Sequence, residues 1–357
     1  KKGARQGALV RPSATRSAAD GLERGEVVNE GRELLGGQAR GQALGHHRDF
    51  RLLDGFDLSA RERARLRRGH NGDALVVPIV KKDGRVICEI DFPMIDTKAI
   101  NATLAKIGAT AAVDEVLKFP ISENLLIVAT GLGKHLKSYP LENLRRAAGA
   151  AARSLVGEKS ATFVFPTKSE SELAAVAEGA ALGSYVFLDF RGSTKNETKP
   201  ALEEVVIYSK ESAKIDFKSL LKRVEVLAKY TYLIRDLINT PPSHLTPAVF
   251  ANEMVKLAKT LKLKYEVLDE KALKTKGYGG ITAVGQGSAN PPRLLRISYA
   301  PTKAKKHFAL VGKGITFDTG GLALKPASGM EAMKADMSGA AAVIATVLAA
   351  AELKLPI

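Results

Sequence analysis

The stretch VGKGITFDTGGLALKPASGMEAMKADMSGAAA, residues 311–342, sets Lys313, Asp318, Lys325 and Asp336 in a glycine-rich, mostly apolar frame. Just upstream, residues 308–311 (FALV) predict a short buried strand that ends at the Gly312-Lys313-Gly314 turn. Asp318 precedes Thr319-Gly320-Gly321, where a backbone without Cβ atoms lets another group approach closely. Lys325-Pro326 marks a second loop, and the alanine-rich run from about 339 to 353 predicts a helix with Asp336 at its mouth. A strand end, two loops and a helix start, all bearing charge, fit the edge of an open α/β sheet, where such folds bind ligands.

Two carboxylates and two amines gathered in one dry pocket need a chemical reason. Carboxylates suit hard divalent cations. A lysine beside a cation can lose its proton, because the cation penalises the ammonium form. Lys313 can then act as a neutral nitrogen ligand, while Lys325 stays charged and polarises a substrate carbonyl. Any one of these residues alone reads as a salt-bridged loop residue. All four in one glycine-rich frame point to a site.

On these residues the stretch resembles the metal-binding core of the leucyl (cytosol) aminopeptidase family, whose members carry two co-catalytic metal ions. The resemblance implies that Lys313 and Asp336 bind one metal, that Asp318 bridges both, and that Lys325 is catalytic. It also implies that Lys313 and Asp318 contact the substrate. Met333, the second methionine of GMEAM, matches a position that lines the pocket for the substrate's first side chain. Read by itself, Met333 is equally well a packing residue. Thr319 stands where many members have Ser. Further implications are Mn²⁺ or Zn²⁺ as the ions, peptides as substrates, a homo-hexamer and a cytoplasmic location.

Composition bounds these readings. A length of 357 residues predicts two or three domains, and 45% apolar residues suffice for a core. No apolar run is expected to reach membrane-spanning length, so no membrane partner is expected. The first residues include two lysines but no apolar segment of the secretory kind. The single cysteine, Cys88, excludes an intrachain disulfide and fits a reducing cytosol. None of the six histidines has zinc-ligand spacing, and the adjacent His46 and His47 point apart on any regular element. A net charge of +16 raises a second reading, a non-catalytic basic DNA-binding protein of the same fold. Against it, the lysines mostly alternate with apolar residues, as on solvated helix faces.

Residues 1–70 hold 13 Arg and 2 Lys against 9 acids, with no sustained period of 2 or 3.6. They read as a disordered leader outside the fold. From residue 71 the character changes. Strands over 74–80 and 85–90 form a hairpin about Lys82-Asp83-Gly84. A helix over 100–107 follows, then a buried strand over 123–134 running into a glycine turn. Helices over 141–157 and 171–187 alternate with strands over 160–166 and 201–209, giving an α/β domain over 71–209. Gly131-Leu132-Gly133 is not a dinucleotide fingerprint, because Leu136 stands where the third glycine belongs. The segments ATGLGK, LRRAAGAAAR and AVAEGAALGSYVF resemble the same family's N-terminal domain, which has a macro-domain-like fold.

The remaining unit, 210–357, begins with a linker and a long helix over 217–238, stopped by Asn239-Thr240-Pro241-Pro242. Thr246-Pro247 caps the next helix. RDLINTPPSHLTP resembles the entry to the family's catalytic domain. A strand over 263–269 and a helix, loop and strand over 277–299 match the family in order. The family's second signature, Asn-Thr-Asp-Ala-Glu-Gly-Arg, does not occur in these residues. Its Asp and Glu complete the metal sites. The resemblance therefore implies an N-terminal macro-like α/β domain followed by a truncated α/β metallopeptidase catalytic domain. Such a chain holds at most one ion, and its activity as a fragment is doubtful.

Overall fold

Strand β2 (Asp73–Lys82) shows why a sheet with two covered faces forms. Its apolar run alternates between two cores: Ala74, Val76 and Val80 on one face, Leu75, Val77 and Ile79 on the other. The computed structural model describes residues 49–54, 73–90, 92, 95–123, 125–210, 215–302 and 304–357. Around β2 lies a seven-stranded sheet. Its other strands are β1 (Asp49–Asp54), β3 (Arg85–Cys88), β4 (Val116–Ser122), β5 (Leu125–Lys134), β6 (Ser160–Val164) and β7 (Glu204–Ser209). The order is β1-β7-β6-β2-β5-β4, with β3 paired to β2 as an antiparallel hairpin. The pairs β1–β7, β7–β6, β6–β2 and β2–β5 are parallel, and β4 runs antiparallel on β5.

Helix α1 (Thr97–Lys106) covers one face through Ile100 and Leu104. Helices α2 (Leu141–Ser154) and α3 (Glu170–Gly183) cover the other. Alanine and glycine let these two approach until backbones touch. A Cβ at Gly179 would lie 2.1 Å from the Arg145 carbonyl oxygen, and one at Gly183 would lie 2.2 Å from that of Gly149.

A second group of elements follows: α4 (Phe217–Asn239), α5 (Pro247–Thr260), β8 (Lys264–Leu268), α6 (Glu270–Thr275), α7 (Gly279–Gly285), β9 (Leu294–Ser298), α8 (Ala327–Met330), a 3₁₀ turn (Glu331–Ala335) and α9 (Ser338–Glu352). Strands β8 and β9 form a separate antiparallel ribbon. The third core packs α4, α5 and α9 through Tyr230, Leu233, Phe250, Met254, Met337 and Leu348. One face of α4 belongs to this core, while Leu220, Val224, Ala228 and Tyr232 belong to the core over α2 and α3.

Four expectations need correction. Residues 49–54 fall in the stretch read as a leader, yet they form the sheet's edge strand, in register with residues 204–209. Parallel pairing has no local turn signal, so it was hidden in the arginine-rich composition. The rest of 1–70, including His46 and His47, lies outside the described residues. Gly131 and Gly133 do not make a turn after the strand; they lie inside β5. A Cβ at Gly131 would meet the Ala112 carbonyl oxygen at 1.8 Å, so glycine admits a crossing segment there. The strand 116–122 was not foreseen, because Lys118 and Pro120 interrupt its apolar pattern. Finally, one helical run, 327–352, has the length and apolarity of a membrane span. It is broken by the 3₁₀ turn, and its α9 part contributes Ala341, Ala345 and Leu348 to the third core.

Candidate metal-binding site

The loop carrying Lys313 lies directly on the start of α9. The Ala340 amide donates to the Lys313 carbonyl oxygen at 2.7 Å. A Cβ on Gly312 would stand 2.4 Å from the Gly339 carbonyl oxygen, so only glycine allows this contact. The close approach brings the Lys313 Nζ within 2.9 Å of the Asp336 Oδ2. Asp336 closes the 3₁₀ turn, its amide donating to the Met333 carbonyl oxygen at 3.2 Å.

Asp318 and Lys325 are paired by a second tight loop. Gly320 takes φ +93°, and a Cβ there would lie 2.3 Å from the Ala323 carbonyl oxygen. The Gly320 amide donates to Asp318 Oδ1 at 2.8 Å, and the Lys325 amide donates to the Thr319 carbonyl oxygen at 3.0 Å. The Lys325 ammonium reaches Asp318 Oδ2 at 2.6 Å. Four residues separated by up to 23 positions thus form two ion pairs, Lys313–Asp336 and Lys325–Asp318.

The two pairs feel each other. The Asp336 hydrogen bond, with help from the more distant Asp318 charge, holds the Lys313 ammonium above its ordinary value. The Lys325 ammonium and the Gly320 amide hold the Asp318 carboxyl below the usual carboxylate range. At neutral pH Lys313 is charged and Asp318 is ionised. A neutral Lys313 is expected only beside a bound cation; without one, its partner is the Asp336 carboxylate.

The pocket is also not dry. The Lys313 side chain is 56% exposed, and Leu322 and Leu324 point largely to solvent. Residues 308–311 are not a strand: Phe308, Leu310 and Val311 are exposed. Apolarity alone predicted their burial, but burial also requires a covering partner. Met333 is half-buried on the turn that ends at Asp336. One contact went unforeseen. The Lys334 Nζ donates to the Asn239 carbonyl oxygen at 3.3 Å, tying that turn to the end of α4.

Among the described residues, no three His, Cys, Asp or Glu side chains cluster as a metal site. Two carboxylates do lie here, and Lys313 senses the charge of both. That set fits one divalent ion, because an approaching cation would replace the ammonium groups that now neutralise Asp318 and Asp336. It lacks the donors for two.

Comparison with known proteins places these features. Residues 232–357 match the model of the cytosol aminopeptidase family, catalytic domain, and residues 92–194 match that family's N-terminal domain. A relative from Leifsonia xyli subsp. xyli named "Probable cytosol aminopeptidase" is 43% identical over 257 residues, 72% of this chain and 51% of its own length. One of the same name from Streptomyces avermitilis is 42% identical over 307 residues, 81% of this chain and 60% of its own. The chain thus spans about half to three-fifths of these relatives. The solved structure "Bottromycin maturation enzyme BotP in complex with Mn" aligns with a TM-score of 0.62 at 32% identity, covering 80% of this chain and 56% of that one.

Proposed function

We propose that this chain, which belongs to the cytosol aminopeptidase family, carries part of a metal-dependent aminopeptidase that removes N-terminal amino acids from peptides. The observation that carries the reading is the pair of ion pairs, which ties Lys313 to Asp336 and Lys325 to Asp318 across two glycine loops and the 3₁₀ turn. Family membership and the manganese named with the BotP structure support a divalent ion, for which we take Mn²⁺ or Zn²⁺. The complete site takes two ions, and these 357 residues hold at most one.

Asp318 and Asp336 would hold that ion through their carboxylates, with Asp318 shared toward the second position. Lys313 would join as a neutral amine once its proton is lost. A bound divalent ion supplies Lewis acidity and lowers the pKa of water. As a ligand of that ion, Asp318 would no longer engage the Lys325 ammonium, which now stands 2.6 Å from it. Lys325 then offers its N–H groups to the negative charge that develops on the scissile carbonyl oxygen. Lys313 and Asp318 flank the substrate amine, and Met333 lines the apolar side of the pocket. We further propose a cytoplasmic homo-hexamer for the full-length protein. The DNA-binding alternative gains nothing from the relatives above.

The test is metal analysis after dialysis, beside hydrolysis of leucine amide, on the 357-residue chain and on a chain extended to full family length. At most one ion per short chain without turnover, and two ions with turnover in the long one, are expected. Two tightly held ions and turnover in the short chain would show that other residues complete the site. A long chain that binds metal but hydrolyses no amide would overturn the peptidase reading.

A further inference from the structure

A cavity of about 350 Å³ opens where α2, α3 and the end of α4 meet. The segment LRRAAGAAAR explains it. Helical spacing puts Arg146, Ala150 and Arg153 on one face of α2. The floor is bare because Gly149, Gly179 and Gly183 stand where the helix backbones touch. Four guanidinium groups line the resulting depression, from Arg145, Arg146, Arg153 and Arg235.

Two of these cations are neutralised. Arg145 donates to Glu178 at 2.9 Å and to Glu142 at 2.5 Å, and Arg146 pairs with Asp114. The other two are not. Arg235 donates to the Leu182 carbonyl oxygen at 2.6 Å and lies 5.3 Å from the Tyr185 ring centre. Arg153 is exposed and has no carboxylate partner among the described residues, and neither has Arg235. A cation in the last turn of α2 complements the helix dipole, which accounts for Arg153 alone. It does not account for the convergence of a second unpaired guanidinium from α4 on the same cavity.

We propose that this cavity binds a small oxyanion, a phosphate ester or a polycarboxylate, between Arg153 and Arg235. The guanidinium fork matches two oxygens at once and loses little water on doing so. The volume lies near the lower end of ligand pockets, which limits the guest to a small molecule. Its location on α2, α3 and α4 separates it from the Lys313–Asp336 loops, so the site does not depend on the peptidase reading.

Isothermal titration calorimetry of the 357-residue chain with pyrophosphate, and separately with citrate, tests this. Arg153→Ala and Arg153→Glu are compared with Lys271→Glu, which removes the same charge from an exposed position on α6. Circular dichroism checks that each variant is folded. Saturable one-site binding is expected for at least one anion, weakened at least tenfold by Arg153→Glu, less by Arg153→Ala, and less than twofold by Lys271→Glu. Preference for pyrophosphate identifies a phosphate ester, and preference for citrate a polycarboxylate. The proposal falls if the unmodified chain binds neither anion saturably at millimolar concentration, or if Lys271→Glu weakens binding as much as Arg153→Glu.

Discussion

Asp236→Asn should stabilise the chain at neutral pH and leave its stability in acid nearly unchanged. Asp236 sits near the end of α4 and accepts the Tyr185 hydroxyl at 2.7 Å. Burial, opposed by that hydrogen bond and assisted by the Asp189 charge, pushes its carboxyl from 3.8 up to about 6. The folded protein therefore binds this proton more tightly than the unfolded chain does. Between about pH 4 and pH 6 stability falls as pH rises, and above that window the loss is complete. A shift of this size, at 1.36 kcal/mol per pKa unit, amounts to about 3 kcal/mol at pH 7.5. Asparagine cannot ionise, and its Oδ1 can still accept the tyrosine hydroxyl. Urea denaturation at pH 4.0 and pH 7.5 would show the variant about 2–3 kcal/mol more stable at the higher pH only. Parallel stability curves for the two proteins across this range would refute the argument.

Three further outcomes follow from the geometry. Lys325→Ala, in a chain extended to full family length, should lower turnover by about a hundredfold or more while metal content holds; a parallel fall in metal would make Lys325 a ligand. Gly320→Ala forces a Cβ to 2.3 Å from the Ala323 carbonyl oxygen at φ +93°, so manganese affinity in a competition titration should drop at least several-fold with little change in the melting temperature. Gly183→Ala drives a Cβ to 2.2 Å from the Gly149 carbonyl oxygen, and the α2–α3 separation it forces should cost about 1–3 kcal/mol in denaturant unfolding.

Much of the α/β body was legible because its signals are local. ALVVPIV and the turn at Asp83-Gly84 announced a hairpin that forms where expected. The long helix from Phe217 showed its apolar positions and its proline stop. What stayed hidden depended on distant partners. The edge strand 49–54 pairs with residues 204–209, and the exposure of residues 308–311 reflects the lack of a covering layer among the described residues. At the site, the charged residues could be named from their spacing and the family resemblance. Their cross-pairing could not, because it rests on Gly312 against Gly339 and on the fold of the Gly320 loop. Lys334 gave no pattern of its own, since its partner is a backbone carbonyl 95 positions away.

Helix α4 has a practical consequence. Its Leu220, Val224, Ala228 and Tyr232 seal the core over α2 and α3, and its Val226, Tyr230, Leu233 and Leu237 seal the core under α9. The Tyr232 hydroxyl and Arg235 also reach back to the carbonyl oxygens of Ala181 and Leu182. A gene cut at residue 210 would therefore not separate two independent bodies. The upstream product would lose the lid of its core, and the downstream product would carry that lid as a naked greasy stripe. Anyone dissecting this protein would do better to keep α4 in both pieces, and should expect the intact chain to melt through a single shared transition.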